Sequence, residues 1–227
     1  MKKVLKKLCL LDCQRKTKVW QEICNVANGD TWFGTPAIYV DPFKCFKDEI
    51  TKLYKERKII PDIFKDMAPR HIVKCRYQDD REVDLGTNLT LLQTIKKPDH
   101  CEWPIEEGAY YVLMLLGLDS PTYKCCYERE YNHWLVGNIP GSNFKKGETI
   151  AEYQGGQIAY EPGEHRLVFV VYKQPNKIQF NESRVEEKST YWDRVLFTHA
   201  GFSRKHKLGD PRASNFFTLN FQNEQEF

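Results

Sequence analysis

Residues 128–141 are the most informative stretch of the chain and read Glu-Arg-Glu-Tyr-Asn-His-Trp-Leu-Val-Gly-Asn-Ile-Pro-Gly. The run from His133 to Ile139 is nearly continuous in apolar residues and has the length of a strand, which predicts a buried strand. The dipeptide Pro140-Gly141 is a turn signal that closes it. We therefore expect this stretch to be a central strand of a β-rich domain.

Similar signals lie on both sides of this stretch. Apolar runs predict two more buried strands, Ala109–Leu116 and His165–Lys173. The segment Phe216–Phe221 predicts a further strand near the end of the chain. These runs share strand length and a high content of apolar residues, so we expect buried strands.

The remaining pattern predicts a hairpin and two helices. Ile72–Tyr77 and Arg81–Leu85 alternate in polarity and are joined by a short polar turn. Phe46–Lys58 and Tyr191–Lys207 carry apolar residues at helical spacing. Many strands with few helices predict a mostly β protein, an antiparallel β-sandwich with a few peripheral helices. We expect it to be a monomer.

The composition is that of a globular protein. The chain has 227 residues, of which 41% are hydrophobic and 29% are charged, enough to bury a core without metals or disulfides. A net charge of +3 is too small to suggest a nucleic-acid partner. No apolar run approaches the roughly 18–20 residues that a membrane span needs.

Residues 1–45 predict a basic N-terminal extension and connector, followed by one domain at 46–227. Residues 1–18 hold seven Lys or Arg side chains and one acid, with apolar residues at helical spacing. The segment is either a solvated helix lying on the domain or a membrane-surface or targeting segment. Lys6 and Lys7 interrupt any apolar core, so no cleavable secretory signal is predicted. The expected location is cytoplasmic, with mitochondrial and extracellular alternatives.

The eight cysteines are expected to be reduced, because no export signal is predicted. No CxxC pair occurs, so neither a zinc site nor any other metal or cofactor is expected. Two segments match the N-glycosylation pattern, Asn88-Leu-Thr90 and Asn181-Glu-Ser183. That pattern is common by chance and gains weight only if the chain is exported.

Three segments together carry a family resemblance: the 128–141 stretch, Gly147–Tyr153 and Gly163–Gln174. In order and spacing they resemble the core of phosphatidylethanolamine-binding proteins, also called Raf kinase inhibitor proteins, and most of all the insect members. The resemblance covers about Phe46 to Phe227. It implies a β-sandwich with a small pocket at one end that takes phosphate-like anions or phospholipid head groups.

The resemblance also implies which residues line that pocket. The expected ligand-binding residues are His133, His165, Asp119, Tyr131, Gly155 and Gly156. Imidazoles can donate hydrogen bonds and add charge near neutral pH, and a glycine-rich loop brings backbone N–H groups close to an anion. With ordinary histidines, titrating near ~6.5, anion binding should tighten as the pH falls.

The match to the family pocket is incomplete. The family's Asp-Pro-Asp-x-Pro loop aligns with Gly117–Pro121, so its first aspartate is Gly117 here. Both prolines of the glycine-rich loop are absent from residues 155–159, and Tyr131 replaces a tryptophan. Loss of a carboxylate removes repulsion of a plain anion and a partner for an ammonium group. We therefore expect phosphate binding to survive better than head-group selectivity.

Each of these residues also has a purely structural interpretation. His133 and His165 sit inside apolar strands, where a histidine is usually a satisfied core residue. Asp119 precedes Ser120-Pro121 and is suited to cap a turn, and Tyr131 could belong to the core.

Three functions remain open on the sequence. The first is a regulatory binding module for phosphate-type anions or lipid head groups. The second is a fold retained for protein contacts, such as a mitochondrial ribosomal protein of this fold. This chain resembles that protein in lacking the first aspartate, and only in that case is nucleic acid a partner. The third is an enzyme, which we do not expect, because no nucleophile accompanies the histidines.

Overall fold

The computed structural model describes residues 42–119, 126–155 and 163–221. The predicted basic helix of residues 1–18 lies outside them. The chain divides into two compact units, with the boundary between Ala68 and Pro69. Among the described residues, no helix combines the length and the apolar composition that crossing a membrane requires.

The described part of the first unit is helical. Helix α1 spans Pro42–Glu56 and helix α2 spans Ile59–Asp62. The rings of Tyr54 and Phe64 pack with centroids 5.9 Å apart, and Tyr54 is 1% exposed. The helix predicted from Phe46 to Lys58 is confirmed, although it begins earlier, at Pro42.

The described part of the second unit contains ten strands. They are β1 His71–Ile72, β2 Lys74–Tyr77, β3 Arg81–Glu82, β4 Thr87–Leu89, β5 His100–Glu102, β6 Tyr110–Gly117, β7 Tyr131–Pro140, β8 Glu148–Ala151, β9 Gly163–Lys173 and β10 Ala213–Phe221. The same described residues include two helices, α3 Leu91–Thr94 and α4 His199–His206. Single 3₁₀ turns span Gln78–Asp80, Phe144–Lys146 and Tyr191–Asp193.

The strands form two sheets. The larger has the order β1-β10-β9-β6-β7-β8, with β4 also paired to β10, and the smaller has the order β3-β2-β5. Strands β1 and β4 run parallel to β10, while the other pairs are antiparallel. The predicted hairpin is the β2–β3 pair.

One apolar core joins the two sheets. Tyr77 from the smaller sheet belongs to the same buried cluster as Leu113, Trp134 and Phe217 from the larger one. The rings of Tyr77 and Phe217 meet edge to face at 5.8 Å. Two sheets that share a core make a sandwich, so the predicted mostly antiparallel β-sandwich is confirmed.

The three long central strands are buried along nearly their whole length. In β6 every residue from Tyr111 to Gly117 is buried, and in β9 every residue from His165 to Tyr172. Because both faces of these strands are covered, their sequences read as continuous apolar runs rather than alternating ones. This is why the sequence predicts them well.

The helix predicted over Tyr191–Lys207 is wrong in its first half. The chain makes a 3₁₀ turn at Tyr191–Asp193, and α4 begins only at His199. Between them the backbone pairs with the chain that enters β7, with the Asn132 N–H donating to the Arg194 carbonyl at 2.9 Å. Backbone groups engaged in this way are not available for helical hydrogen bonds.

The expectation of reduced thiols is wrong for one pair. Cys75 on β2 and Cys101 on β5 form a disulfide across directly paired positions of the smaller sheet. Both are buried in the shared core. Cys126 is a free thiol.

Candidate functional site

His133 is placed by an irregularity in β7. Leu115 of β6 pairs with Trp134, and Leu116 pairs with Asn132, so His133 is the extra residue of a β-bulge between them. Bulges redirect a side chain out of the regular alternation of a strand. The His133 Nδ1 lies 2.8 Å from the backbone carbonyl oxygen of Gln154, which fixes the ring.

His165 enters the same end of the sheet from β9. Its Nδ1 lies 3.1 Å from the backbone carbonyl oxygen of Asp119, and it is 8% exposed. The structure thus brings the two predicted histidines together, and His165 is close enough to contribute to the electrostatics of His133. Each imidazole is held through Nδ1 by a backbone carbonyl.

Asp119 lies beside His165, but its carboxylate is engaged elsewhere. Its Oδ2 accepts from the Arg166 backbone N–H at 2.7 Å and from Arg166 Nε at 2.9 Å. Its Oδ1 accepts from Arg166 Nη2 at 2.6 Å. The Asp119 side chain is 0% exposed, so its carboxylate orients β9 and leaves only its backbone carbonyl to the site.

Tyr131 and the glycine segment form one wall. The Tyr131 hydroxyl donates to Gln154 Oε1 at 2.8 Å, and its ring centroid lies 4.7 Å from that of His133. A Cβ at Gly155 would fall 2.2 Å from the Thr94 carbonyl oxygen. This close approach of two backbones excludes any side chain there. Gly156 lies outside the described residues.

Gly117 is where the family's first aspartate is missing. It ends β6 and pairs with Tyr131 and Leu167. A Cβ on Gly117 would lie 2.8 Å from His133 Nε2, which is shorter than a van der Waals contact. The imidazole therefore reaches into the space next to the β6 backbone that a side chain at this position would use.

Arg194 is a component of the site that the sequence reasoning missed. It is fully buried, and its guanidinium donates to three backbone carbonyls, those of Asn132, Glu152 and Glu186, at 2.9–3.0 Å. Burial lowers its pKa, and its positive charge helps lower the pKa of His133. In the sequence, the only indication that Arg194 is buried is that its neighbours include apolar residues at helical spacing.

Burial is also the main cause of the unusual pKa of His133. It lowers the pKa of this imidazole from 6.5 to about 4. The charges of Arg194 and His165 also lower the pKa, and the hydrogen bonds that the ring donates to backbone carbonyls oppose the shift. At neutral pH the ring is therefore uncharged. The neighbouring carbonyl places its one proton on Nδ1, which leaves a lone pair on Nε2.

The low pKa of His133 predicts acid sensitivity of the fold. The unfolded chain takes up a proton on this residue near pH 6.5, but the folded chain does so only near pH 4. Stability from this group is therefore complete above pH 6.5 and decreases as the pH falls towards 4, by about 3 kcal/mol. Denaturant titrations at pH 7 and pH 4.5 should show the loss, and His133→Gln should lose less. Equal losses in both proteins would contradict the assignment.

Some exposed apolar side chains lie near this end of the sheet. Seven large hydrophobic residues are exposed in the described part of the chain. Three of them have contacts that connect them to the site. Ile95 adjoins Gly155, the ring of Trp192 packs against Tyr191, which packs against Tyr131, and the Leu196 N–H donates to the Glu128 carbonyl at 3.1 Å.

Metal chemistry has no support in the described ranges. No group of three or more His, Cys, Asp or Glu side chains there is arranged to hold a metal ion. The site consists of two carbonyl-anchored imidazoles, a phenol, a close backbone segment and a buried guanidinium. This arrangement is suited to bind a small anion.

Comparison with known proteins identifies relatives over most of the chain. No family model matches it. A Drosophila melanogaster protein named as a candidate odorant-binding protein, A5, is 28% identical over 170 residues, which are 75% of this chain and 80% of that protein. A 26 kDa secreted antigen of Toxocara canis is 31% identical over 153 residues, 66% of this chain and 56% of that protein.

Solved structures share the fold. The solution structure of CG7054 is 30% identical, with a TM-score of 0.55 over 73% of this chain and 92% of that chain. Carboxypeptidase Y inhibitor, complexed with its cognate proteinase, has a TM-score of 0.65 at 20% identity, over 78% and 97% of the two chains. A phosphatidylethanolamine-binding protein from Plasmodium falciparum has a TM-score of 0.58 at 19% identity, over 74% and 96%. The chain belongs to the phosphatidylethanolamine-binding protein family.

Proposed function

We propose that this protein binds phosphate-type anions, including phospholipid head groups, at the end of the large sheet that carries His133 and His165. The observation that carries the proposal is the pair of imidazoles, each anchored through Nδ1 to a backbone carbonyl. Anchoring one nitrogen directs the other, Nε2, away from that carbonyl. The protein acts as a binding module, and no residue is assigned a catalytic role.

The anchoring determines how an anion can be held. With a proton on Nδ1, a neutral imidazole offers only a lone pair at Nε2, so it donates to an anion only after taking up a second proton. A monoprotonated phosphate ester can instead donate its own hydroxyl to that lone pair. Binding is therefore coupled to a proton, supplied either by solvent or by the ligand.

Charge in the site favours a plain phosphate over an ammonium group. Gly117 contributes no carboxylate, and the carboxylate of Asp119 is bound to Arg166. The buried guanidinium of Arg194 adds a positive charge behind His133. An ammonium group would find no free carboxylate among these residues, so phosphoethanolamine should bind no better than phosphate.

The apolar side chains around the site support a lipid as the source of the phosphate. Leu92 and Trp192 are 73% and 72% exposed, and a tryptophan at the rim is typical of contact with a membrane interface. Vesicles of phosphatidylcholine, with and without phosphatidylserine, distinguish this source from free phosphate. Binding of phosphate without binding of vesicles would support a soluble ligand.

We further propose that the protein works outside the reducing cytoplasm. The disulfide between Cys75 and Cys101 supports an oxidising compartment. The relationship to a secreted antigen points the same way. We therefore propose an extracellular location in place of the cytoplasmic one expected from the sequence.

Sulfate affinity tests the site, because sulfate stays fully ionised from pH 5 to pH 8 and any pH dependence belongs to the protein. We expect affinity to rise as the pH falls, by at most about tenfold per pH unit for each proton taken up. Because the pKa of His133 is about 4, the rise should continue below pH 6.5. Calorimetry with the wild type, His133→Gln and His165→Gln measures this. The exposed His100→Gln is the matched control.

Two outcomes of that titration would refute the proposal. The first is an affinity that is the same at pH 8 and pH 5, which would mean that no imidazole takes up a proton. The second is binding that survives both substitutions, which would place the anion elsewhere. Absence of all binding would favour the alternative function, a fold that serves protein contacts through Tyr127, Trp192 and Leu196.

Restoring a carboxylate should weaken anion binding. In Gly117→Asp the new side chain must displace His133 and adds a negative charge, so we expect sulfate affinity to fall at least about tenfold, or ~1.4 kcal/mol. Gly108→Asp is the matched control, since nothing lies within 4 Å of a Cβ there. Its φ of +72° is one that aspartate adopts more often than most other residues. An unchanged affinity in Gly117→Asp would contradict the site.

A further inference from the structure

We infer that Asn88 and Asn181 are acceptor sites for N-linked glycans. The inference rests on the proposed export of the protein. Both residues belong to Asn-x-Ser/Thr segments, the pattern that the secretory pathway modifies. The pattern alone is weak, and the structure supplies what it lacks, namely accessibility and a compartment.

The two segments share one pattern of exposure, with an anchored middle residue between two exposed ones. In the first, Asn88 and Thr90 are exposed, while Leu89 between them is 2% exposed and belongs to the core. In the second, Asn181 and Ser183 are exposed. Glu182 between them is held against α4, where its Oε1 receives Lys205 Nζ at 2.6 Å and His206 Nε2 at 2.5 Å.

This alternation decides whether a glycan fits the folded protein. In the first segment, which begins in β4, strand alternation turns Asn88 and Thr90 to the outer side while Leu89 points inward. In the second segment, the ion pairs of Glu182 anchor the middle residue, and Asn181 and Ser183 remain exposed. The acceptor amide and the hydroxyl residue therefore both face solvent, so a bulky sugar can be carried without unfolding either segment. Asparagines such as Asn138 and Asn215, which are 5% and 1% exposed, could not carry one.

The disulfide supports an oxidising compartment for this protein. Cys75 and Cys101 are oxidised to each other within the core. Disulfides form where proteins are exported, and N-glycosylation takes place in the same pathway. The disulfide and the exposure of the two acceptor segments are separate observations. The disulfide lies in the smaller sheet, and neither acceptor does.

The reaction is a transfer to the amide nitrogen. The co-reactant is an oligosaccharide linked to a lipid diphosphate. The asparagine amide nitrogen forms a bond to the anomeric carbon of the first sugar and loses one proton. The bond from that carbon to the diphosphate oxygen breaks, and the lipid diphosphate leaves with the electron pair. No oxidant or reductant takes part.

Two preparations test the inference. Protein isolated from its own tissue, with thiols trapped by alkylation, is treated with peptide N-glycosidase F and its intact mass is measured. We expect a mass decrease and conversion of Asn88 and Asn181 to aspartate. Full-length protein secreted from insect cells assigns the sites: Asn88→Gln and Asn181→Gln should each remove one glycan, and the double variant should carry none.

Conservative variants separate glycosylation from folding. Ser183→Thr keeps the acceptor pattern and should keep the glycan, whereas Ser183→Ala should lose it. Thr90→Ser keeps both the pattern and the hydroxyl that caps α3 by accepting from the Gln93 N–H. Asn176→Gln, at an exposed asparagine outside the pattern, should change nothing.

The outcomes distinguish this inference from the proposed location. Tissue protein with an intact Cys75–Cys101 disulfide and no mass change would overturn the glycan inference and leave the location standing. Tissue protein with reduced Cys75 and Cys101 and no glycan would overturn both. Glycans at both asparagines would support both.

Discussion

Replacing Asp119 by alanine should lower the free energy of unfolding by about 3–5 kcal/mol, because it removes one carboxylate that neutralises the buried Arg166 guanidinium. The two side chains are 0% and 4% exposed and are joined by two side-chain hydrogen bonds. The carboxylate also accepts from the Arg166 backbone N–H, so the substitution removes a backbone contact between the loop after β6 and β9.

Urea denaturation of Asp119→Ala measures this effect, and two further variants interpret it. Replacing both partners, as Asp119→Leu with Arg166→Met, should restore much of the loss, because no unpaired charge remains. Lys74→Ala breaks the exposed pair with Glu102 and should cost less than about 1 kcal/mol. A cost below about 1 kcal/mol for Asp119→Ala would show that Arg166 finds other partners.

Removing the disulfide should have the second large effect. Cys75 and Cys101 are 26 positions apart, and releasing a loop of this length increases the entropy of the unfolded chain enough to cost about 3–4 kcal/mol. Replacing both by alanine should lower the midpoint of thermal unfolding, and reduction of the wild type should do the same. The double variant should then be insensitive to reductant.

Cys126 is the matched control for this experiment, since it is free and half-buried. Cys126→Ser should leave the unfolding midpoint nearly unchanged. If removal of Cys75 and Cys101 has as little effect as this control, the disulfide does not contribute to stability. That result would also weaken the proposal of an oxidising compartment.

The confirmed predictions concern strands that are buried on both faces. The three long apolar runs became β6, β7 and β9, because a strand covered on both faces needs apolar residues at every position. The strand in the 128–141 stretch begins at Tyr131, two residues before the apolar run, because Asn132 and the polar tip of Tyr131 find partners in the fold. The polarity of a residue does not reveal whether a distant partner will satisfy it.

The predictions that failed concern residues with distant partners. Arg194 lies in a stretch with helical spacing, yet it is buried. Its guanidinium donates hydrogen bonds to the backbone carbonyls of residues 132, 152 and 186. The thiols of Cys75 and Cys101 were expected to be reduced, but strands β2 and β5 bring them together. Local periodicity contains no information about either contact.

The candidate site divides in the same way. The segments 128–141, 147–153 and 163–174 indicate the family from the sequence alone, and Gly117 indicates a missing carboxylate. The pKa of His133, the bulge that directs its ring and the commitment of Asp119 to Arg166 arise from burial and from strands far apart in the chain. Apolar runs and motifs are local properties that survive in a linear sequence, whereas desolvation and charge pairing depend on which segments meet, and only the folded chain specifies that.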